Sequence, residues 1–470
     1  MSNKPYDLVV IGAGPAGVSG AATAASFGRR VALIERDPAI GGAGINTGTI
    51  PSKTLRETAL TLSGIRARKL QIDLVLRQEA TIADLMRHER SVTESARNLQ
   101  LHRLRHFDVD LLYGTASFVE PHTVKVSLRG GSELLLRATN FLIACGSSPY
   151  RPPEFPFEDD RIHDSDEILD LGRIPRSLAV IGAGVIGCEY ACTFAALGTR
   201  VWLIDSRSEL MPFLDRDVAR TLELAMEHNG VELVWNEKVA SCSTPDGDEV
   251  VLTLSSGRKI FAEGVLVAAG RTSNTDSLNL AAAGISPGKR GVLSVNASYE
   301  TEAPHIYAAG DVIGFPALAS TSIEQARVAI CHAFNLGFEN ELPHLLPAGI
   351  YTIPEVSALG ETEQSLRELG IEYVVGRATF MDNPRGKIIG EETGFLKLIF
   401  RADDMKLLGA HVIGEEATEL IHIGLMAMLS GSGADLFNQA CFNYPTLGDL
   451  YKYATYDAMM RREMLRGGRD

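Results

Sequence analysis

The residues best suited to chemistry in this 470-residue chain sit in two glycine patterns. Gly12-Ala13-Gly14-Pro15-Ala16-Gly17 follows directly on the apolar run Leu8-Val9-Val10-Ile11. Glu35 stands 18 residues beyond Gly17, at the end of a second apolar run, Val31-Ala32-Leu33-Ile34. Gly182-Ala183-Gly184-Val185-Ile186-Gly187 repeats the arrangement after Leu178-Ala179-Val180-Ile181, and Asp205 again lies 18 residues past the third glycine. In such a pattern the first glycine allows a tight turn. The second lets the main chain approach a pyrophosphate, and the third lets a helix pack against its strand. The helix start then offers free N–H groups and a positive dipole end to phosphate. The acid accepts hydrogen bonds from a ribose. One such pattern is a weak signal. Two of them, each with its acid, predict two dinucleotide sites. Both acids point to adenosine riboses with free 2′-hydroxyls. Arg207, two residues past Asp205, either reaches a 2′-phosphate or is a solvated surface arginine. Use of NAD, NADP or both therefore stays open.

These residues need elements that hold them. Short apolar runs bounded by glycine turns read as buried parallel strands, and the Ala-rich stretch Val18 to Phe27 reads as a helix. The predicted fold class is α/β, with two dinucleotide-binding, Rossmann-like domains. The span Leu8 to Gly28 carries no charge, but five glycines and a proline make it too weakly apolar for a membrane helix. It also lacks the basic start and Leu-rich core of a signal peptide, so a cytoplasmic protein is expected. The chain is 45% hydrophobic and 22% charged, which favours a packed core over disorder. Its net charge of −14 leaves no electrostatic footprint for nucleic acid or an anionic membrane. Six cysteines, Cys145, Cys188, Cys192, Cys242, Cys331 and Cys441, are too few for a disulfide scaffold, and no two form a C-x-x-C pair. Cys188 and Cys192 share a helical face without further ligands nearby, so they read as core residues and no metal site is predicted.

Between the two units runs Gly41-Gly42-Ala43-Gly44-Ile45-Asn46-Thr47-Gly48-Thr49-Ile50-Pro51-Ser52-Lys53. It resembles the segment after the first βαβ unit in the pyridine nucleotide-disulfide oxidoreductases, the family of lipoamide dehydrogenase, glutathione reductase and mercuric reductase. Other stretches resemble the family in order along nearly the whole chain. They are Leu142-Ile143-Ala144-Cys145-Gly146-Ser147, Gly270-Arg271-Thr272-Ser273-Asn274-Thr275, Tyr307-Ala308-Ala309-Gly310-Asp311, Ala319-Ser320-Thr321-Ser322, His411-Val412-Ile413-Gly414 and Glu419-Leu420-Ile421. The family's segment carries two cysteines that form a redox disulfide. Here those positions hold Gly44 and Thr49, and neither can form a thiolate. Disulfide reductases also place a histidine in a C-terminal H-P-T segment. This chain has Phe442-Asn443-Tyr444-Pro445-Thr446, with Tyr444 at the histidine position. The two absences together resemble the soluble, Si-specific NAD(P)+ transhydrogenases. Gly44 is a departure even there, because the first cysteine of that group is often retained.

The resemblance implies FAD as the redox centre, NAD and NADP as substrates, and hydride exchange between NADPH and NAD+ through flavin N5 by a ping-pong route. It implies Lys53 and Glu189 as a catalytic pair beside the flavin, with a plain structural ion pair as the alternative. The implied cofactor-binding set is Gly12, Gly14, Gly17, Glu35, Gly42, Thr49, Lys53, Ala144, Gly146, Gly182, Gly184, Gly187, Asp205, Arg207, Gly270, Arg271, Gly310, Asp311, Ala319 and Tyr444. Ser320 or Thr321 is expected to cap a helix running to Ala333. The implied domains are FAD-binding (1–150, with a helical insertion near 53–105), NAD(P)-binding (151–275), a return to the FAD domain (276–346) and a C-terminal α+β dimerisation domain (347–470). A homodimer or larger assembly follows, in which Tyr444 either lines the partner's site or packs in the interface. The arginines at 461, 462, 466 and 469 read as a solvated tail. A diaphorase, quinone reductase or NAD(P)H oxidase is the rival enzymatic reading, and a non-catalytic redox-sensing flavoprotein the rival of another class.

Overall fold

Leu8, Val9 and Val10 are fully buried because their strand lies inside a parallel sheet covered on both faces. The computed structural model describes residues 4–64, 82–337, 345–391 and 393–467. In the first sheet β1 (Tyr6–Ile11) is flanked by β2 (Val31–Glu35) and β5 (Glu133–Ile143), and β3 (Asp110–Glu120) and β16 (Ile306–Ala308) extend it on either side. All these neighbours are parallel. The outer halves of β3 and β5 turn away to form an antiparallel meander with β4 (Thr123–Leu128). Helix α1 (Pro15–Ser26) follows the first glycine turn, and α2 (Gly42–Asn46) and α3 (Thr49–Leu62) follow β2. Helix α4 (Ile82–His106) lies in the predicted insertion, whose residues 65–81 fall outside the described residues. The uncharged span Leu8 to Gly28 is thus strand, turn and helix. Among the described residues no helix is long and apolar enough to cross a membrane.

A two-stranded ribbon of β6 (Ser147–Pro149) and β15 (Arg271–Ser273) joins this unit to the next. The second sheet is also parallel, in the order β10 (Val231–Val234), β9 (Arg200–Ile204), β8 (Ser177–Ile181), β14 (Gly264–Val267), β7 (Ile162–Asp164). Helix α5 (Val185–Ala196) follows the second glycine turn, and α6 (Arg216–His228) precedes β10. Strands β11 (Val239–Ser243), β12 (Val250–Leu254) and β13 (Lys259–Ala262) form a small antiparallel sheet on this unit. The chain then returns to the first unit through β16 and α7 (Ala319–Ala333).

The third sheet is antiparallel, in the order β17 (Ala348–Ile350), β18 (Val356–Gly360), β21 (Leu407–Ile413), β20 (Phe395–Arg401), β19 (Tyr373–Thr379). The apolar runs Leu396–Phe400 and Leu407–Ile413 therefore pair as antiparallel neighbours. Helix α8 (Glu363–Leu369) precedes β19 and α9 (Pro384–Ile389) follows it. Helices α10 (Ala417–Leu429), α11 (Ala434–Gln439) and α12 (Leu450–Gly467) complete an α+β unit around Phe400, Phe437 and Tyr451. The tail is more than a solvated end. Arg461 pairs with Asp457 at 3.0 Å, and Arg462 Nε donates to the Ala402 carbonyl at 2.8 Å, because α12 continues across the sheet to Gly467. Arg469 lies outside the described residues.

Candidate active site between the two glycine turns

The two glycine turns are built alike. Gly12 and Gly182 take φ values of +104° and +105°, and a Cβ there would lie 2.3 Å from the Ala144 carbonyl oxygen and 2.5 Å from that of Ala268. Only glycine meets both constraints. A Cβ on Gly17 or Gly187 would lie within 2 Å of the carbonyl of Gly12 or Gly182, so helix and strand touch main chain to main chain. Around Gly184 a Cβ would meet nothing within 4 Å, and around Gly14 only Gly42 Cα at 3.9 Å. Gly14 and Gly184 are the N-caps of α1 and α5, and neither helix start is capped by a side chain. Each turn thus presents bare helix N–H groups, with open space beside Gly184 and only Gly42 at contact distance beside Gly14, which suits a pyrophosphate. The residues present fit FAD at the first turn and a nicotinamide dinucleotide at the second.

The two acids hold the turns themselves. Glu35 Oε2 accepts the Ala13 N–H at 2.8 Å and Oε1 accepts the Asp37 N–H at 2.9 Å; burial pushes its carboxyl above the usual range. Asp205 Oδ2 accepts the Ala183 N–H at 2.7 Å. Arg207 Nε and Nη2 clasp the two oxygens of Asp205 at 3.0 and 2.7 Å. Burial opposes ionisation of Asp205, but the guanidinium prevails and holds its carboxyl below the ordinary value. Arg207 remains 43% exposed, so it can still meet an anion from solvent.

Lys53 and Glu189 are 136 residues apart in sequence, and the fold brings them together. Lys53 Nζ donates to Glu189 Oε2 at 2.6 Å. Lys53 lies in the second turn of α3, and Glu189 lies in α5 just past Gly187. The carboxylate is almost fully buried and the ammonium half-buried. Glu189 Oε1 accepts a second hydrogen bond, from the Tyr351 N–H at 2.9 Å.

A second cluster lies beside the ribbon. Ser147 Oγ donates to Asp311 Oδ2 at 2.8 Å, and Arg271 reaches the Ser147 hydroxyl and carbonyl at 2.7 Å each. Arg271 also lies 3.8 Å from Asp311 and 3.9 Å from Asp166. Gly310, at φ +84°, donates its N–H to buried Gln325 Oε1 at 2.8 Å. Ala144 is buried and Gly146 half-buried at the end of β5, and Gly270 is exposed at the start of the return strand. Ala319 is the first residue of α7. The cap position belongs to Leu318, not to Ser320 or Thr321 as expected, and no side chain caps the helix. The helix begins two or three residues early, and Ser322 Oγ instead donates back to the Leu318 carbonyl at 2.8 Å.

Helix α2 docks onto the first glycine turn. A Cβ on Gly42 would lie 2.9 Å from Gly14 Cα, and one on Gly44 would lie 2.6 Å from Pro15 Cγ. Thr49 is exposed at the start of α3. Tyr444 is 74% exposed. Cys188 and Cys192 are buried core residues, as predicted. Sequence reasoning missed Tyr351, Ser147, Asp166 and Gln325 as neighbours of these residues. Ser147 could have been found, since it ends the stretch Leu142-Ile143-Ala144-Cys145-Gly146-Ser147. The others carry no local pattern that marks them.

Residues 6–333 match the family described as pyridine nucleotide-disulphide oxidoreductase, and residues 346–455 match its dimerisation domain. A soluble pyridine nucleotide transhydrogenase from Mycobacterium bovis is 41% identical over 464 residues, 98% of this chain and 99% of the relative. One from Vibrio parahaemolyticus is 39% identical over 460 residues, 97% of this chain and 98% of the relative. Among solved structures, LpdA from Mycobacterium tuberculosis superposes with a TM-score of 0.88 at 28% identity, covering 96% of this chain and 99% of that one. The HOCl-induced flavoprotein disulfide reductase RclA from Escherichia coli gives a TM-score of 0.86 at 28% identity, covering 95% and 99%. With both family regions matched in order over nearly its whole length, the chain belongs to the pyridine nucleotide-disulphide oxidoreductase family, whose members are flavoprotein oxidoreductases using FAD and NAD(P).

Proposed function

We propose that this protein exchanges hydride between NADPH and NAD+ by a ping-pong route without a redox disulfide, each nucleotide taking its turn at the second glycine turn. The observation that carries this reading is the pair Gly44 and Thr49. They occupy the family's two cysteine positions, so a disulfide substrate would meet no sulfur there. Relatives named soluble pyridine nucleotide transhydrogenase, about 40% identical over nearly the whole chain, support it.

FAD, when bound, supplies the centre that takes up hydride and gives it back. Gly12, Gly14 and Gly17 would hold its pyrophosphate at the start of α1, with Glu35 toward the adenosine ribose. Gly42, Thr49, Ala144, Gly146, Gly310, Asp311 and Ala319 would line the rest of its length. Gly182, Gly184, Gly187, Asp205, Arg207, Gly270 and Arg271 would hold the nicotinamide dinucleotide. Lys53 contributes a fixed positive charge where negative charge develops, and such a preset charge is worth most in a site shielded from water. Glu189 fixes the direction of that charge. A half-buried ion pair costs desolvation and is weak support for stability on its own, which favours the functional role. Residues 346–455 would pair two copies, with Tyr444 at the partner's site, and the protein would work in the cytoplasm.

The deciding assay mixes the purified flavoprotein with NADPH and thio-NAD+ under anaerobic conditions. Hydride transfer to thio-NAD+ is the expected result. Reaction only with quinones or dyes would replace this reading with a reductase. A flavin that NAD(P)H cannot bleach would remove the enzymatic reading altogether.

A further inference from the structure

The C-terminal unit sends a short loop against α3 and α5. This loop, residues 351–355, follows β17 and is pinned to α3 at two points. Arg56, one turn beyond Lys53, donates from Nε to the Thr352 carbonyl at 3.1 Å and pairs through Nη1 with Glu355 at 3.1 Å. Glu355 in turn accepts the Thr418 hydroxyl of α10 at 3.1 Å. The pinned loop places Tyr351 on both members of the Lys53–Glu189 pair. Its N–H donates to Glu189 Oε1 at 2.9 Å, and its ring centroid lies 4.9 Å from Lys53 Nζ.

We propose that Tyr351 is the positioning residue for Lys53, so that the C-terminal unit aims the charge on which hydride transfer depends. Two physical steps lead there. Glu189 has one donor on each oxygen, so its carboxylate cannot rotate without losing one of them. Lys53 has its other contacts with the Ser52 hydroxyl at 3.3 Å and the face of the Tyr351 ring. An aromatic face attracts an ammonium and excludes water from that side. Without the ring the four-carbon stem of lysine would regain its rotamers and the charge would spread over several directions.

This inference rests on the role of Lys53 in the proposed function, and the test separates the two. Holoprotein is prepared as wild type, Tyr351→Leu, Tyr351→Phe, Lys53→Met and the double variant Lys53→Met/Tyr351→Leu. Three quantities are read: the limiting rate of flavin reduction against NADPH concentration, the flavin midpoint potential, and the rate at which acetic anhydride acetylates Lys53 at one fixed pH. Tyr351→Leu is expected to slow reduction about 3- to 30-fold, with half-saturation changed less than about twofold. It should also lower the midpoint potential and raise Lys53 acetylation several-fold. Tyr351→Phe keeps the ring and should recover most of each loss. In the Lys53→Met background Tyr351→Leu should add nothing to rate or potential. An additive loss there, or a Tyr351→Leu protein like wild type while Lys53→Met is impaired, overturns the positioning role alone. A Lys53→Met protein with unchanged rate and potential overturns the role of Lys53 and this inference with it. The acetylation rate needs neither activity nor flavin, so it also judges a variant that binds FAD poorly.

Discussion

Lys397 Nζ lies 2.7 Å from Asp215 Oδ1, and neither side chain is more than 1% exposed. Asp215 caps α6 of the second glycine unit, where it also accepts the Asp217 N–H at 3.1 Å. Lys397 stands in the middle of β20 in the C-terminal sheet. The pair therefore fastens the nucleotide-binding unit to the C-terminal unit. Asp217, at 2.8 Å, and Glu363 complete the shell around the ammonium, and Arg377 reaches Asp217 at 3.2 Å. His411 lies directly across from Lys397 on β21; burial holds its imidazole below the ordinary value, and its Nδ1 has no hydrogen-bond partner among the described residues.

Removing Lys397 strands the buried Asp215 carboxylate, so Lys397→Met is expected to cost about 3–5 kcal/mol, read as a lower Tm. The pH dependence has a definite sign. Burial opposes ionisation of Asp215, but its hydrogen bond from Lys397 prevails and holds the carboxyl below its usual value. A group lowered by folding stabilises above its unfolded value, near pH 4, and loses that contribution as pH falls further. Burial opposes the charge on Lys397 too, yet its three carboxylate partners hold it above its usual value. Its contribution is full below about pH 10.5 and lost as pH rises beyond that. The Tm gap between wild type and Lys397→Met should thus hold steady from about pH 5 to 9 and shrink below pH 4. A gap that stays constant down to pH 3 would contradict this account.

Gly44 has a steric reason to lack a side chain. A Cβ there would lie 2.6 Å from Pro15 Cγ and 3.3 Å from Cδ. Pro15 is the first residue of α1, so the strain would pass to the start of the helix proposed to hold the flavin pyrophosphate. Alanine otherwise outranks glycine in a helix by about 1 kcal/mol, whereas overpacking costs about 1–3 kcal/mol. The clash should win. Gly44→Ala is expected to lower Tm and weaken FAD retention, and Pro15→Ala in the same chain should recover part of both. A rise in Tm on Gly44→Ala alone would show that the Pro15 contact is not limiting.

The same residues show how much the sequence could tell. The turns at Gly12 and Gly182 were legible because their constraints are local: a positive φ and a carbonyl too close for a Cβ. The strands Leu396–Phe400 and Leu407–Ile413 were legible from apolar runs of the right length. The Lys53–Glu189 pair spans 136 residues, and only resemblance pointed to it. Tyr351 and Lys397 were not legible at all. Each owes its role to a unit far away in sequence, α3 and α5 for Tyr351 and α6 for Lys397. At α7 a local preference misled, because Ser320 and Thr321 are good caps but the chain enters the helix at Leu318.

Arg207 is proposed to set how Asp205 treats the two nucleotides. An aspartate alone favours a 2′-hydroxyl and repels a 2′-phosphate. Arg207 covers both oxygens of Asp205 and is still 43% exposed, so it can offset that repulsion. Arg207→Ala is expected to raise the KM for NADPH about tenfold, the worth of one charge-assisted contact. The KM for NADH should change less than about threefold. Steady-state KM values for both nucleotides check this, and an unchanged ratio would remove Arg207 from nucleotide recognition.

The cysteines supply the test of a flavin working without thiols. The thiolate is the reactive form, and burial suppresses it at several positions. Burial pushes the Cys145 and Cys192 thiols up to about 12, Cys242 up to about 11, and Cys188 well above its ordinary value. Cys331 is buried, and Cys441 is exposed near the C-terminal end. N-ethylmaleimide should therefore modify Cys441 first, with Cys188 and Cys192 protected until denaturant is added, and hydride transfer should survive the first modification. An anaerobic dithionite titration should take up two electrons per FAD. Two more electrons would be consumed if a disulfide shared the reduction. Uptake of four electrons, or loss of transfer on labelling a buried cysteine, would return this protein to the thiol chemistry of its structural relatives.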